Sequence, residues 1–424
     1  MGKSAANKVG GDKSQEIATN DSLGHLAVVP QENTPDPSLT SPSDYKDCAS
    51  FRVEAVGHVF TFYSSGSDRL EALIDHIDCA KESLHLFYYE FQGDCAGHKV
   101  RDALINAAQR GVEVSLIIDD FGSDAPPGFF APLEHAGARF AVFAAGLSRR
   151  YLVRNHQKFA IADNARVMTG GANISDEYYN DPSQNGWCDL GVAIEGEIAR
   201  SFSRWFDCLD ELARTHRPSF RRTRLLIRQW KADTGDIQLL LGGPLIRRSH
   251  WSYRFKKDLA KSMRLDMVTA YFGPPGSFRR AMAKVARKGQ ARLVSAGKSD
   301  LDGTIDVARL FYNSLLRSGG KVSEFQPSKL HMKLIVVGDC SYFGSANLDR
   351  RSIRVNIELM VRVKDKALAS RLRELIDHME AASVPIDRAW YKENAGFWTR
   401  ARWRFFHWLS LADYRLTHSV SRPN

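Results

Sequence analysis

Two short stretches of the chain each place a histidine two residues before a lysine. His156 and Lys158 lie in NHQKFAIADNARVMTGGAN, and His331 and Lys333 lie in LHMKLIVVGDCSYFGSAN. The chain has 13 histidines, and only these two have a lysine at that spacing. Side chains two residues apart on a strand point to the same face, so each stretch predicts an imidazole beside an ammonium group.

If the two stretches meet, the resulting pocket suits a phosphodiester. Ammonium groups neutralise non-bridging phosphate oxygens, amide and hydroxyl groups donate hydrogen bonds to them, and two imidazoles can divide the work of nucleophile and general acid. Each imidazole also needs its other nitrogen held, usually by a carboxylate. Asp189 and Glu358, on strand-like segments after the Asn of each half, are the predicted orienting acids. The predicted site consists of His156, Lys158, Asn173, Asp189, His331, Lys333, Ser345, Asn347 and Glu358.

No metal or other cofactor is predicted at this site. His, Asp and Glu are metal ligands, but a lysine two residues after each histidine would repel a cation. The six cysteines are scattered and form no C-x-x-C pair, which favours buried or free thiols over a zinc site or a disulfide framework.

The elements that must position these residues form a repeat. KVRDALINAAQRGVEVSLIIDDFGSD and SFRRAMAKVARKGQARLVSAGKSDLD each read as an amphipathic helix followed by a strand, and each leads to one of the His-x-Lys stretches. Alternating strands and helices are typical of helices that cover a mostly parallel or mixed sheet. We therefore predict an α/β fold of two fused half-domains, residues 51–220 and 221–385, related by pseudo-two-fold symmetry with the active site at their interface. Residues 1–50 are predicted to be a disordered extension, because they are rich in Ser, Asn, Asp, Pro and Gly.

The charge of the chain favours an anionic partner. Lys and Arg outnumber Asp and Glu by 59 to 49, giving a net charge of +10. Nucleic acid, anionic lipid and phosphorylated metabolites all fit this sign. No apolar run approaches the ~18 residues of a membrane-spanning helix, so we expect a soluble or peripheral protein.

The doubled motif resembles that of the HKD phospholipase D superfamily, whose signature is His-x-Lys-x4-Asp followed by Gly-[Gly/Ser]-x-Asn, present twice per chain. The resemblance covers about residues 50 to 385, and AAQRGVEVSLIIDDFGS, RNHQKFAIAD and FGSANLDRRSIRVNIELM are similar to bacterial cardiolipin synthases, especially the subtype without transmembrane helices. The resemblance implies two phospholipase D-like half-domains and a metal-independent, ping-pong phosphatidyl transfer through a phosphohistidine. It also implies that His156 is the nucleophile and that His331 acts first as general acid and then as general base.

The second motif departs from this signature at its acid. Four residues separate Lys158 from Asp163, as the signature requires, whereas position 338 is Gly and the acid of the second half is Asp339. An acidic side chain in the turn at the far end of the strand forms hydrogen bonds with nearby backbone groups. We therefore expect Asp163 and Asp339 to support the motif without taking part in the chemistry.

Residues outside the motifs allow two readings each. Asp119 and Asp120 end a predicted strand and belong either to the edge of the site or to loop structure. Arg149, Arg150 and Arg154 are candidates for a lipid headgroup or for a solvated turn. In the tail, residues 386–424, an apolar stripe with arginines predicts either an interfacial helix or a helix docked on the core.

The function that these observations favour is cardiolipin synthesis by transesterification of phosphatidylglycerol. A hydrolytic phospholipase D or a phosphatidylserine synthase would use the same residues with another acceptor, and an HKD-type nuclease or phosphodiesterase also fits the basic charge. The mixture of Trp, Phe and Arg in the tail favours lipid over nucleic acid. We expect a cytoplasmic protein, peripheral on the inner membrane of a bacterium, with anionic phospholipids such as phosphatidylglycerol as partners and no predicted oligomeric state.

Overall fold

The protein is built around two mixed β-sheets. The computed structural model describes residues 45–143, 153–214, 220–244, 249–300 and 302–421. Within these ranges each sheet has eight strands, one sheet in each half of the sequence, and helices flank both. The predicted α/β class with two related half-domains is confirmed.

The first half contributes nine strands and five helices within the described residues. The strands are β1 (Phe51–Ala55), β2 (His58–Tyr63), β3 (Ser83–Tyr88), β4 (Glu113–Asp119), β5 (Arg139–Phe143), β6 (Lys158–Ala162), β7 (Arg166–Gly170), β8 (Trp187–Cys188) and β9 (Gly191–Glu195). The helices are α1 (Gly66–Asp78), α2 (Cys95–Gln109), α3 (Ala131–His135), α4 (Asp176–Tyr179) and α5 (Ile198–Arg214).

The second half carries a similar set, followed by the C-terminal helices. Its strands are β10 (Ile237–Gly242), β11 (Arg264–Thr269), β12 (Phe272–Gly273), β13 (Gln290–Ala296), β14 (Lys321–Phe325), β15 (Lys329–Leu330), β16 (Lys333–Val337), β17 (Cys340–Gly344), β18 (Leu348–Asp349), β19 (Glu358–Lys364) and β20 (Ser383–Ile386). Its helices are α6 (Phe220–Gln229), α7 (His250–Lys261), α8 (Gly276–Lys288), α9 (Asp302–Leu316), α10 (Arg350–Arg354), α11 (Lys366–Ala381), α12 (Arg388–Asn394) and α13 (Phe397–Ser421).

The two sheets repeat one strand order, as a duplication requires. The order β2-β9-β7-β6-β3-β4-β5 in the first sheet corresponds to β10-β19-β17-β16-β11-β13-β14 in the second. The directions match as well, since β3 and β4 are parallel like β11 and β13, while β6 and β7 form an antiparallel hairpin like β16 and β17. The remaining strands β1 and β20 extend the sheets at non-equivalent edges.

The largest core cluster joins the two half-domains. It includes inward-facing residues of both sheets together with residues of α5 and α11. Phe343 of β17 meets the rings of Phe60 and Phe62 edge-on, with centroid distances of 6.2 and 5.5 Å. Separate clusters cover the outer faces against α1 and α2 in one half and α7, α8 and α9 in the other. Strands buried on both faces read as continuous apolar runs, which is why FAIA and LIVV occur directly after the two His-x-Lys motifs.

Three segments lie outside the two repeated sets of strands. Of the predicted disordered extension, residues 1–44 lie outside the described residues, whereas Tyr45 packs edge-on against Phe325 at a centroid distance of 5.0 Å and belongs to the fold. Helix α6 lies where the two predicted halves adjoin, and its Ile227 is buried in the largest core cluster. The tail forms α12 and α13 after β20.

Candidate active site

A reciprocal exchange of backbone hydrogen bonds brings the two histidines to the interface between the halves. β8 pairs in parallel with β15, and the N–H of His331 donates to the carbonyl oxygen of Cys188 (N···O 2.8 Å). In the opposite direction Asn155 bridges Ile357 in parallel, and the N–H of His156 donates to the carbonyl oxygen of Ile357 (N···O 2.9 Å). Each histidine is therefore held beside the residue that immediately precedes the acid of the other half.

The orienting acids consequently cross between the half-domains. Nδ1 of His331 lies 2.7 Å from Oδ2 of Asp189, and Nδ1 of His156 lies 3.3 Å from Oε2 of Glu358. Both carboxylate side chains are completely buried. The sequence predicts these two acids but not their partners: each serves the histidine of the opposite half, so a complete site requires both halves.

The two lysines begin strands β6 and β16, and each histidine lies just before its strand. Nζ of Lys158 donates to the carbonyl oxygen of His156 (2.8 Å), and Nζ of Lys333 donates to that of His331. Burial and the neighbouring Lys333 lower the pKa of Lys158 to about 7, and burial lowers the pKa of Lys333 to about 8. Two buried ammonium groups that repel each other favour a bound anion, which would restore their ordinary affinity for protons.

The carboxylates of the two halves differ in charge. Burial disfavours the ionised form of Asp189, but Lys333 and His331 overcome it and hold the pKa of Asp189 well below its usual range. Burial raises the pKa of Glu358 to about 7, although Lys158 opposes this shift. Asp189 is thus ionised at neutral pH, whereas Glu358 takes up a proton much more readily.

The imidazoles are neutral when no anion is bound. Burial and Lys158 lower the pKa of His156 well below its ordinary value, and burial and Lys333 lower the pKa of His331 to about 3. Nδ1 of His331 lies 2.7 Å both from Oδ2 of Asp189 and from Nζ of Lys333, and because Asp189 is ionised we assign the proton of His331 to Nδ1. This tautomer leaves the lone pair on Nε2 for chemistry.

Two of the three predicted phosphate donors are engaged with protein acceptors. Nδ2 of Asn173 donates to Oε2 of Glu90 and to the hydroxyl of Tyr178, both at 2.9 Å. Oγ of Ser345 donates to Oε2 of Glu358 at 2.6 Å. Asn347 is buried, and its Oδ1 has no hydrogen-bond partner among the described residues. In this arrangement Asn173 and Ser345 hold acids in position, so donation to phosphate would require these bonds to exchange.

Several residues that the sequence does not single out complete the site. Tyr89 packs against the ring of His156 at 4.9 Å, and Nζ of Lys158 lies 4.9 Å from the centroid of the same tyrosine. Tyr178 and Trp187 meet His331 edge-on at 5.0 and 5.3 Å. These rings shield the imidazoles from solvent, although the His156 side chain stays 12% exposed. Tyr89 directly follows β3, so its place at the end of a buried strand is a signal that sequence reasoning can use.

The buried Arg69 of α1 is a second omission, and no sequence signal identifies it. Its guanidinium donates to the carbonyl oxygens of Asp189 (2.7 Å), Tyr178 (2.8 Å) and Trp187 (3.0 Å), and also to that of Ser64. These hydrogen bonds fix the backbone of Asp189, Tyr178 and Trp187, the three residues whose side chains contact His331.

The third residue of each motif lies at the far end of its strand. Oδ1 of Asp163 accepts from the backbone N–H groups of Glu82 (2.7 Å) and Ser83 (3.0 Å) at the start of β3. The structural counterpart of Asp163 is Gly338, because both residues have a positive φ. In addition, the backbone N–H of each donates a hydrogen bond to the carbonyl oxygen of the first residue of the neighbouring strand. Asp339 is exposed in the turn.

A serine replaces the missing acid of the second half. Oγ of Ser262 accepts from the N–H of Arg264 (3.0 Å) at the start of β11. A Cβ placed on Gly338 would lie 3.3 Å from this hydroxyl oxygen, so Ser262 occupies the space that the Asp163 side chain uses in the first half. The register shift in the second motif is therefore compensated locally, away from the histidines.

Asp119 belongs to the edge of the site. Its buried carboxylate accepts from the N–H of Asn155 (3.0 Å) and from that of Phe121 (2.9 Å), and burial raises its pKa to about 7. It thus fixes the residue immediately before His156. The Arg154 guanidinium lies over the ring of Phe121 at 4.3 Å. Arg149 and Arg150 lie outside the described residues.

Metal ligands do not cluster in the part of the chain that is described: no group of three or more His, Cys, Asp or Glu side chains there has the geometry to hold an ion. The two acids nearest the histidines are already engaged by imidazole, serine and lysine groups.

The duplicated fold and its two crossed His–acid pairs define a phospholipase D-like protein. The chain belongs to the family described as cardiolipin synthase, phospholipase D-like domain, whose model matches residues 73–209 and 257–380, more than half of the sequence. The two matched segments fall one in each half-domain, in agreement with the duplication.

Curated relatives and a solved structure resemble the chain over most of its length. It is 29% identical over 323 residues to the major cardiolipin synthase of Bacillus subtilis, covering 73% of this chain and 66% of that protein. It is 28% identical over 416 residues to cardiolipin synthase A of Klebsiella pneumoniae, covering 92% and 82%. The crystal structure of phosphatidylserine synthase from Haemophilus influenzae superposes with a TM-score of 0.67 at 14% identity, covering 87% of this chain and 96% of that one, which shows a shared fold.

The alignment with the Bacillus subtilis protein spans about two thirds of that relative's own length. Among the helices that the structure describes, none combines the length and the apolar character needed to cross a bilayer.

Proposed function

We propose that the protein is a phosphatidyltransferase that makes cardiolipin from phosphatidylglycerol by transesterification. The observation that carries this proposal is the pair of buried imidazoles, each with Nδ1 against a carboxylate of the opposite half, flanked by two lysines with lowered pKa values. The curated relatives named above are cardiolipin synthases of bacteria, which supports an anionic phospholipid such as phosphatidylglycerol as substrate. The cytoplasmic face of a bacterial inner membrane is the place of reaction that we propose.

In the first step, Nε2 of His156 attacks the phosphorus of one phosphatidylglycerol. The bond from phosphorus to the glycerol headgroup breaks, and the departing oxygen takes a proton from Nε2 of His331. The bound phosphodiester supplies the negative charge that raises the pKa of His331, and the ionised Asp189 stabilises the imidazolium. Glycerol leaves, and a phosphatidyl group remains on His156.

In the second step, a hydroxyl of a second phosphatidylglycerol loses its proton to His331 and attacks the phosphohistidine. The phosphorus–nitrogen bond breaks, cardiolipin forms, and His156 returns to its neutral state. Each turnover therefore converts two molecules of phosphatidylglycerol into one cardiolipin and one glycerol. Lys158 and Lys333 balance the charge of the non-bridging oxygens in both steps.

The test is to incubate the purified protein with phosphatidylglycerol vesicles and, separately, with single-stranded DNA. We expect cardiolipin and glycerol in equal amounts, and no cleavage of DNA. The variants His156→Ala and His331→Ala control for contaminating enzymes. Release of phosphatidic acid in place of cardiolipin would assign a hydrolytic phospholipase D, and DNA cleavage without lipid products would assign a nuclease.

A further inference from the structure

The C-terminal helix α13 presents different chemistry on its two sides. Its docked side includes Trp403, which is 1% exposed and packs against Tyr391 at a centroid distance of 5.6 Å. On the same side, Phe406 lies against Gly303, since a Cβ on that glycine would be 2.6 Å from the ring. The guanidinium of Arg402 pairs with Asp306 of α9 (Nε···Oδ2 2.8 Å). These contacts fix the orientation of α13 on α9.

The opposite side of α13 is aromatic and faces solvent. Large apolar side chains recur there at the three- and four-residue spacing of one helical face. They are Phe397 (77% exposed), Trp398 (81%), Phe405 (54%), Trp408 (57%) and Leu409 (36%). We call these five residues the aromatic face. They account for half of the large exposed hydrophobic side chains of the described residues, so the concentration on one helix needs a physical reason.

Basic residues border the aromatic face along one edge. Arg400 and Arg404 are exposed and one turn apart, between the docked side and the aromatic face. Trp and Phe prefer the boundary between headgroups and acyl chains, while arginine extends its charge to anionic headgroups. A protein partner would need a surface of complementary shape. The aromatic face is instead a row of bulky rings with a cationic edge, and this chemistry matches an anionic bilayer surface.

The docked side of α13 also lies close to a loop at the edge of the active site. Gly303, under Phe406, follows the loop whose Asp300 accepts a hydrogen bond from the hydroxyl of Tyr271 (3.0 Å). Tyr271 follows β11, whose last residue pairs with Lys333, and the charge of Asp300 acts on that lysine. The helix therefore lies beside the loop that borders the second half of the site.

We infer that the aromatic face of α13 is an interfacial contact with an anionic lipid bilayer, held on α9 so that the active site of the second half is kept close to the lipid surface. The inference relies on the proposed function only for the choice of phosphatidylglycerol as the lipid. It resolves the two sequence-based readings of the tail by assigning docking and lipid contact to separate sides of one helix.

The test measures vesicle binding and catalysis separately in the full-length protein. A triple variant, Trp398→Ser with Phe405→Ser and Trp408→Ser, should lose co-sedimentation with phosphatidylglycerol vesicles by about tenfold or more, the scale expected when large apolar side chains lose their burial. A control variant, Leu225→Ser with Tyr253→Ser, removes apolar side chains of similar exposure from α6 and α7 and should bind as the wild type does. Arg400→Gln with Arg404→Gln should weaken binding and reduce its dependence on salt.

Two further measurements distinguish this inference from the proposed function. His331→Ala should bind vesicles normally while making no product, and the triple variant should keep its turnover of short-chain phosphatidylglycerol that is dissolved as monomers. Unchanged vesicle binding by the triple variant would overturn the inference. The inference would also be overturned if the wild type were a dimer, the triple variant were a monomer, and the two bound lipid equally well. Lipid binding that appears only after residues 1–44 are removed would overturn it too.

Discussion

Replacement of Ser345 by alanine should change the pH at which the enzyme becomes active. Oγ of Ser345 donates to Oε2 of Glu358 at 2.6 Å, and the same oxygen of Glu358 lies 3.3 Å from Nδ1 of His156. Burial raises the pKa of Glu358 to about 7, and both Lys158 and the serine hydroxyl oppose this rise. Ser345→Ala removes one of these opposing contributions without touching the imidazole.

The size of the effect follows from the hydrogen bond that is lost. A hydrogen bond to a charged group contributes about 1.5–3 kcal/mol, and one pKa unit corresponds to about 1.4 kcal/mol. The pKa of Glu358 should therefore rise by about 1 to 2 units in the variant. Only the ionised form accepts the Nδ1 proton of His156, so the acidic limb of the kcat profile should move toward alkaline pH by that amount. At neutral pH the loss of activity should be roughly five- to fiftyfold.

The assay is the pH dependence of kcat for cardiolipin formation from phosphatidylglycerol in mixed micelles. Ser341→Ala is the matched control, because Ser341 is also completely buried, lies on β17, and its Oγ has no hydrogen-bond partner among the described residues. The control should leave the acidic limb in place. If Ser345→Ala lowers kcat equally at all pH values, the limb does not report Glu358 and the reasoning is refuted.

The other predictions concern the lysines and the outer ends of the motifs. Above about pH 7, kcat/KM should fall because Lys158 and Lys333, with pKa values of about 7 and 8, successively lose the charge that binds the phosphodiester; a flat alkaline profile in steady-state kinetics would contradict this. In the transfer assay Asp339→Ala should keep most of the activity, whereas His331→Ala should abolish it, and equal losses would count against the assigned roles. Asp163→Ala should lower the free energy of unfolding by about 1–3 kcal/mol in urea titrations, because backbone N–H groups at the start of β3 lose a charged acceptor, with kcat nearly unchanged.

The fold was accessible from the sequence because the duplicated motif repeats at the level of strands. The His-x-Lys stretches, the apolar strands after them and the Gly-[Gly/Ser]-Ala-Asn segments recur in one order, and the structure repeats the same order in β6–β7 and β16–β17. The strands β6 and β16 are buried on both faces, so their apolar runs are continuous and easily recognised.

The pairing of acids with histidines was not accessible in the same way. Asp189 follows Asn173 in its own half, and only the parallel pairing of β8 with β15 carries it to His331. That pairing involves two residues from each strand, which is too short to leave a periodic pattern in the sequence. Arg69 is hidden for a related reason, since its four acceptors are backbone carbonyl groups that any sequence could provide.

The two halves also differ at a position that the shared signature treats as interchangeable. A Cβ on Gly171 would lie 2.4 and 2.6 Å from the two carboxylate oxygens of Asp189, so no side chain fits there. At the matching position, Ser345 fits because Glu358 has one more methylene group and its carboxylate accepts the serine hydroxyl. The choice of Gly or Ser therefore accompanies the length of the acid in each half. Because only the longer acid has a serine donor and a pKa near neutrality, the duplicated site provides its two histidines with acids that differ in their readiness to ionise, and a nucleophile and a general acid need different partners.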